Sequence, residues 1–157
     1  MSAFAPPLRH AAVWTCTVEP ARVIPTPVSP PPFAILRPKW LPEPMSDREE
    51  HRQLSTTHGP VNSATLHFDA TSGTDPRDAL LLLERPRDRA HDPQNVPGTI
   101  HETIGGHDVS IGRRGEACMN LSWVQGEVAL TLVNSYDGVD HVRYSCDIVR
   151  RVVESMR

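Results

Sequence analysis

The sequence predicts an α+β fold, with an antiparallel sheet of six to seven strands and a C-terminal amphipathic helix packed on one face. Two observations carry this prediction. Short segments of alternating apolar and polar residues recur from residue 64 onward, separated by turn-forming residues. The last dozen residues instead place their apolar side chains at helical spacing. A chain of 157 residues suffices for one domain of this kind.

The clearest predicted element is a hairpin close to the C-terminus. Alternating segments flank Gln125-Gly126, and glycine accepts the positive φ that a two-residue turn requires. This turn would place Trp123 opposite Val128 and Leu121 opposite Leu130. A slip of one residue would expose half of these apolar side chains, so the register is strongly specified. Six apolar residues are expected to share one face: Met119, Leu121, Trp123, Val128, Leu130 and Leu132.

The closing helix is predicted over residues 146–156. Ser145 precedes it and can accept a hydrogen bond from an unpaired amide of the first turn. A helix of this length needs a packing partner in water, and the Trp123 face of the hairpin is the expected one. The predicted apolar arc consists of Ile148, Val149, Val152, Val153 and Met156.

The earlier segments give weaker patterns. Residues 33–36 suggest a first strand, ended by Pro38. Residues 46–55 are charged and have almost no apolar face, which indicates a surface loop or a marginal helical turn. Residues 64–68 alternate like a half-buried strand, and residues 79–84 suggest a more deeply buried one.

Two further features complete the predicted sheet. Residues 85–95 form a polar segment whose mixed charges favour a long mobile loop. Beyond it, Gly105-Gly106 indicates a hairpin between residues 99–104 and 107–112. In that register the apolar side chains of both strands share a face. The same register places His101 and His107 on opposite faces, so they would not bind one metal ion.

The N-terminal region differs in composition from the rest. Residues 1–44 contain 11 of the 16 prolines. We expect residues 1–31 to form a Pro-rich disordered tail or linker and residues 32–157 to form a single α+β domain. The short apolar stretch at 11–18 does not fit a signal peptide, and no segment is apolar and long enough for a transmembrane helix.

Composition and motifs point away from several function classes. A net charge of −3 gives no basic field for nucleic acid. Asp137-Gly-Val-Asp140 could hold a weak calcium ion or form a plain turn. Cys118 and Cys146 could pair in an exported protein or remain ordinary small buried residues. We expect no catalytic, cofactor-binding or metal-binding residues, no cofactor, and a monomer.

The order of several segments resembles a bacterial domain-of-unknown-function family. Members lie outside the cytoplasm after a single transmembrane segment, sometimes in anti-sigma-factor-like proteins. The resemblance covers residues 32–157 and is carried by Pro32-Phe-Ala-Ile-Leu-Arg-Pro-Lys-Trp-Leu-Pro-Glu43, Leu80–Glu84, Ile104–Ile111, Leu121–Trp123 and Tyr144–Met156.

The resemblance implies a curved sheet, similar to lipoprotein-carrier folds, that can hold a lipid, a peptide or a protein partner. It therefore implies a non-enzymatic sensory or binding domain that is extracytoplasmic or membrane-associated. The family's upstream membrane segment is not seen here, so the chain is either truncated at its start or soluble. Two alternatives stay open: a purely structural domain, and a small hydrolase or metal-dependent enzyme. An open apolar sheet face would favour binding, whereas a face covered by the helix would favour the structural role.

Overall fold

A computed structural model describes residues 27–71, 79–93, 98–136 and 141–156. Within these ranges it contains a seven-stranded antiparallel sheet of order β1-β2-β3-β7-β6-β5-β4, a two-stranded ribbon β8-β9 and one C-terminal α-helix. The predicted α+β class is confirmed. The elements are β1 Met45–Thr56, β2 Gly59–Ala70, β3 Ala79–Pro86, β4 Ile100–Ile104, β5 His107–Arg114, β6 Ala117–Gln125, β7 Val128–Val133, β8 Ser135–Tyr136, β9 His141–Val142 and α1 Cys146–Glu154.

The core lies on one face of the sheet. One aligned residue from each strand forms a row across this face, and the five inner members are aliphatic and fully buried. We call this face the apolar face. The row runs Glu49, Leu66, Leu82, Leu132, Leu121, Ile111 and Ile100.

Helix α1 packs on the apolar face as expected. The Ser145 hydroxyl accepts a hydrogen bond from the Ile148 amide, which caps the first turn. Val149, Val152 and Val153 are buried against the sheet, while Ile148 is only half-buried. The C-terminal end of the helix meets the hairpin at Gln125, whose amide donates to the carbonyl of Met156 at 2.8 Å.

The hairpin forms with its predicted faces but with a different turn. Gln125 pairs with Val128, so the turn residues are Gly126 and Glu127, with Gly126 at a φ of 63°. Trp123 therefore lies opposite Leu130, two residues away from the predicted partner. Because a shift of two residues keeps every side chain on its face, the predicted side chains are buried although the predicted register is wrong.

A β-bulge changes the predicted burial at the start of β6. The pairing with β5 shifts between Gly112 and Arg113, which leaves Met119 as the extra residue. Cys118 rather than Met119 is therefore fully buried. Cys118 forms a disulfide with Cys146, at the first turn of α1. The bond joins the helix covalently to the strand on which it packs.

The charged segment 46–55 is part of a strand, so the predicted loop or helical turn is wrong. β1 pairs with β2 over twelve residues at the edge of the sheet. Its alternate side chains form ion pairs instead of apolar contacts, including Arg52 with Glu50 and Arg37 with Glu49. Charges on an edge strand also hinder pairing with another chain.

The predicted first strand over residues 33–36 is also wrong. This region has no regular secondary structure and crosses the apolar face beside α1, where Phe33, Ile35 and Leu36 pack against the core. Neighbouring prolines remove backbone donors that a strand would need. We call residues 33–44 the covering segment. The Lys39 and Trp40 amides fix its second half by donating to the carbonyl and the hydroxyl of Ser155.

The burial of β3 is one-sided, whereas the sequence predicts a more deeply buried strand. Leu80 and Leu82 are fully buried, whereas Leu83 is 39% exposed on the opposite face. The β4–β5 hairpin forms with Gly105-Gly106 as its turn, as predicted. Residues 1–26 of the predicted tail and the candidate calcium loop Asp137–Asp140 lie outside the described residues.

Candidate functional site

The face of the sheet turned away from α1 carries a row of polar side chains. One residue from each strand again forms the row, and all of them except Leu83 are polar. Ser122 and Thr131 are hydrogen-bonded through their hydroxyl oxygens at 2.9 Å. We call this face the polar face. Its row runs Glu50, Thr65, Leu83, Thr131, Ser122, Ser110 and His101.

A cleft of about 570 Å³ opens at one end of the polar face. Its two walls are the turn between β1 and β2 and the segment that follows β3, which includes a single 3-10 turn, Arg89–His91. The volume lies in the range of small-molecule sites. We call it the strand-end cleft; it is lined by Ser55, Thr56, Thr57, His58, Val61, Arg85, Pro86, Arg87, Asp88, Arg89 and His91.

The segment after β3 is held by a partly buried ion pair. The Arg87 guanidinium donates to both carboxylate oxygens of Asp92, and its closest contact is 2.6 Å. The Asp92 side chain is only 5% exposed, and the bonds from Arg87 lower the pKa of its carboxyl. Two parallel bonds of this kind fix geometry as well as charge. The Arg87–Asp92 pair thus keeps the outer wall of the cleft in place.

The titratable groups of the cleft form a second, more exposed pair. His91 Nδ1 lies 2.8 Å from a carboxylate oxygen of Asp88, and this contact lowers the Asp88 pKa, as does the Ala90 amide. Nucleophilic catalysis requires a base in hydrogen-bond contact with a hydroxyl or thiol. Within the described part of the chain, His91 has its contact with Asp88 and none with a hydroxyl.

Arg85 differs from the other two arginines of the cleft because its guanidinium has no ion pair or hydrogen bond with any described residue. It is exposed and lies on the polar face, opposite the small side chain of Ala129. It lines the strand-end cleft and two adjoining hollows of about 260 and 140 Å³. The larger hollow extends over Thr65 and Leu83, and the smaller one over Ser110 and Ser122.

The buried carboxyl of Glu84 belongs to the apolar face instead. Glu84 is completely buried, and both of its carboxylate oxygens accept a hydrogen bond from the Leu36 amide, at 3.1 and 3.0 Å. Burial raises its pKa from 4.5 to about 7, against the opposing effects of the Leu36 amide and Arg37. Glu84 thus connects the covering segment to the sheet and makes this connection pH-dependent.

The raised pKa of Glu84 predicts that stability falls as pH rises. The pKa of Glu84 in the folded state, about 7, exceeds the ordinary value of 4.5. The contribution of Glu84 to the free energy of unfolding is therefore complete below pH 4.5 and is lost as pH rises through 7. Between pH 5 and 8 the free energy of unfolding of the wild type should fall by roughly 2–3 kcal/mol relative to that of Glu84→Gln. Urea unfolding of both proteins across this range measures the difference. Glu116→Gln, which changes an exposed carboxyl, is the matched control; parallel curves for wild type and Glu84→Gln would contradict the prediction.

The residues considered from sequence do not converge on this cleft. His101 pairs with Ser110 on the polar face and His107 pairs with Ile104 on the apolar face, so the predicted separation is confirmed. Across the described ranges, no three His, Cys, Asp or Glu side chains are grouped to hold a metal ion.

Sequence reasoning missed both Arg85 and Glu84, although a signal for each was present. Leucines fill four consecutive positions, which favours a deeply buried strand over residues 79–84. Strict alternation would have placed Leu80, Leu82 and Glu84 on one face and Leu83 and Arg85 on the other. That pattern predicts a buried carboxyl and an outward-facing guanidinium.

Comparisons with known proteins add no further identification. No protein-family model matches the chain, and neither the curated proteins nor the solved structures include a significant match. The resemblance described above therefore stays a prediction. Among the described residues, the helix is too short and too polar to cross a membrane.

Proposed function

We propose that the chain is a non-enzymatic, extracytoplasmic sensory or binding domain whose ligand occupies the strand-end cleft. The observation that carries the proposal is the cleft itself: an opening of about 570 Å³ between two walls, one of them fixed by the partly buried Arg87–Asp92 pair. Ligand sites are largely preformed hollows of this size. The adjoining polar row offers hydroxyl groups for hydrogen bonds to a ligand.

The disulfide supports the proposed location. Disulfides persist in oxidising compartments and are rare where thiol reductants keep cysteines reduced. The Cys118–Cys146 bond joins two elements of the core, so it belongs to the folded architecture. An extracytoplasmic location also agrees with what the family resemblance implies.

The closed apolar face changes the kind of ligand that we propose. The binding hypothesis from the sequence requires an open apolar face for an apolar ligand, such as a lipid or peptide, or for a protein partner. That face is instead covered by Val149, Val152 and Val153 of α1 and by Phe33 and Leu36 of the covering segment. We therefore assign the ligand to the polar face, which carries a single exposed leucine in its central row.

The purely structural role is the second candidate, and the covered apolar face favours it. The two roles differ in one measurable property, which is saturable binding at the strand-end cleft. A screen of small organic acids, neutral polar compounds and short peptides, followed by two-dimensional NMR of the labelled protein, tests for it. We expect saturable shifts of amides at residues 55–58 and 85–91 for at least one class.

A cleft-filling variant makes this screen specific. Thr57→Trp places an indole at the β1–β2 turn and should abolish the shifts. Thr103→Trp changes an exposed threonine on the distant edge strand β4 and should leave them intact. If no compound shifts these amides, or if shifts persist unchanged in Thr57→Trp, the structural role replaces the proposed one.

A further inference from the structure

We infer that the strand-end cleft takes a small ligand bearing a carboxylate or phosphate oxyanion, and that Arg85 binds this group and determines specificity. The inference rests on the proposed function and adds the chemical class of the ligand. The chain has a net charge of −3, yet the cleft is lined by three arginines, two histidines and a single aspartate.

Most of these charges are already paired within the protein. Arg87 is held by Asp92 through two carboxylate oxygens. The carboxylate of Asp88 accepts from the Ala90 amide and contacts His91. Arg89 lies 3.6 Å from Glu127, but both side chains are more than three-quarters exposed, so this pair is weak. Among the described arginines that line the cleft, the one left without an ion pair is Arg85.

The surroundings of Arg85 suit an anion that is larger than a single atom. A planar guanidinium presents paired N–H donors that match the two oxygens of a carboxylate or phosphate. Ala129, directly opposite in the register, leaves the space above the sheet open. Thr131 lines the same hollow, and its hydroxyl can donate to a remaining oxygen or to a polar ligand body while it accepts from Ser122. The Ser63 hydroxyl in this hollow already donates to the Arg52 carbonyl.

Leu83 provides the second half of the recognition surface. It lies two residues before Arg85 on the polar face and is 39% exposed, between Thr65 and Thr131. A ligand held by its oxyanion at Arg85 would place its carbon skeleton over Leu83. The geometry therefore favours an organic anion with a short apolar portion over a bare inorganic ion.

The test compares charged and uncharged probes of the same shape. Succinate, succinamide and inorganic phosphate are titrated at constant ionic strength into labelled wild type, Arg85→Gln, Arg85→Lys and Arg113→Gln. We expect succinate and phosphate to shift cleft amides saturably, with succinate binding more tightly and succinamide at least tenfold more weakly. Arg85→Gln should weaken succinate binding roughly tenfold or more, as expected for loss of a charge-assisted bond.

The two remaining variants separate the effects of charge, donor geometry and folding on succinate affinity. Arg113→Gln removes an exposed arginine outside the cleft and should change succinate affinity less than twofold. Arg85→Lys keeps the charge but lacks the paired donors, so an intermediate affinity is expected. Because Arg85 is exposed, all variants should unfold at the same temperature as wild type. If Arg85→Gln does not fold, the succinate affinity of Arg85→Lys tests the inference instead.

The possible failures of the two proposals are distinguishable. If succinamide binds the cleft as well as succinate does, or if Arg85→Gln binds as wild type does, the anion inference is wrong and the binding proposal stands. If phosphate binds and succinate does not, the expected organic ligand is wrong. If no probe of any charge shifts the cleft amides, both proposals fail.

Discussion

Replacing Trp123 by alanine should lower the free energy of unfolding by about 3–5 kcal/mol, the largest single-residue effect that we expect. The indole is 1% exposed and pairs across the hairpin with Leu130, beneath the closing helix. Its removal would leave a cavity between the hairpin and helix α1, which cannot both move inward to fill it. Urea or thermal unfolding followed by circular dichroism measures the loss.

A second tryptophan supplies the matched control. Trp40 lies on the covering segment and is half-buried, with the Arg151 guanidinium 4.2 Å from its ring centroid. Trp40→Ala should cost roughly 1–2 kcal/mol, because less of the ring leaves a packed environment. Equal losses for the two variants, or a Trp123→Ala protein that melts with the wild type, would show that Trp123 is not central to the core.

Removing the Cys118–Cys146 disulfide should cost about 3–4 kcal/mol. The bond closes a loop with a sequence separation of 28, and the loss of loop-closure entropy in the unfolded chain has this size. The Cys118→Ala/Cys146→Ala double variant should therefore unfold at lower urea concentration. Wild type treated with a reductant should show the same shift, because both changes free the first turn of the helix from β6.

Two comparisons make the disulfide prediction specific. The double variant should be insensitive to reductant, since it has lost the bond that the reductant would break. Cys16→Ala, which keeps the disulfide, should unfold as wild type does and should still respond to reductant. A reductant that leaves the wild-type midpoint unchanged would contradict the stabilising role assigned to the bond.

The sequence predicts the apolar face well because its physical signal is periodic and local. Leu121 and Trp123 alternate with polar residues on a single strand, and Val149, Val152 and Val153 repeat at helical spacing. These patterns define which side chains are buried without requiring knowledge of the pairing. The turn at Gly126 shows the limit, since two registers that differ by two residues bury the same side chains.

The edge strand β1 could not be predicted in the same way. Its side chains are stabilised by ion pairs with other segments, such as Arg37 with Glu49, and by backbone bonds to β2. Apolar periodicity is therefore absent from residues 46–55. The covering segment gave the opposite error, because Phe33, Ile35 and Leu36 are apolar like a strand but pack across the sheet instead of joining it.

The strand-end cleft depends on contacts between distant parts of the chain. One wall is the β1–β2 turn at His58, and the other begins at Arg85, so neither segment identifies the site alone. The pairing of Arg87 with Asp92 also cannot be distinguished from other charge pairs in a polar loop. Only the alternation that places Arg85 beside Leu83 on one face was available from the sequence.

The covering segment and α1 together close the apolar face, and this closure leaves the polar face for a ligand. Amide hydrogen exchange at Leu36 tests it directly, because that amide donates to the buried carboxylate of Glu84. We predict that the Leu36, Lys39 and Trp40 amides exchange at least a hundredfold more slowly than in an unstructured peptide. Exchange of all three at the unstructured rate would show that the apolar face is open, contradicting the assignment of the ligand to the polar face.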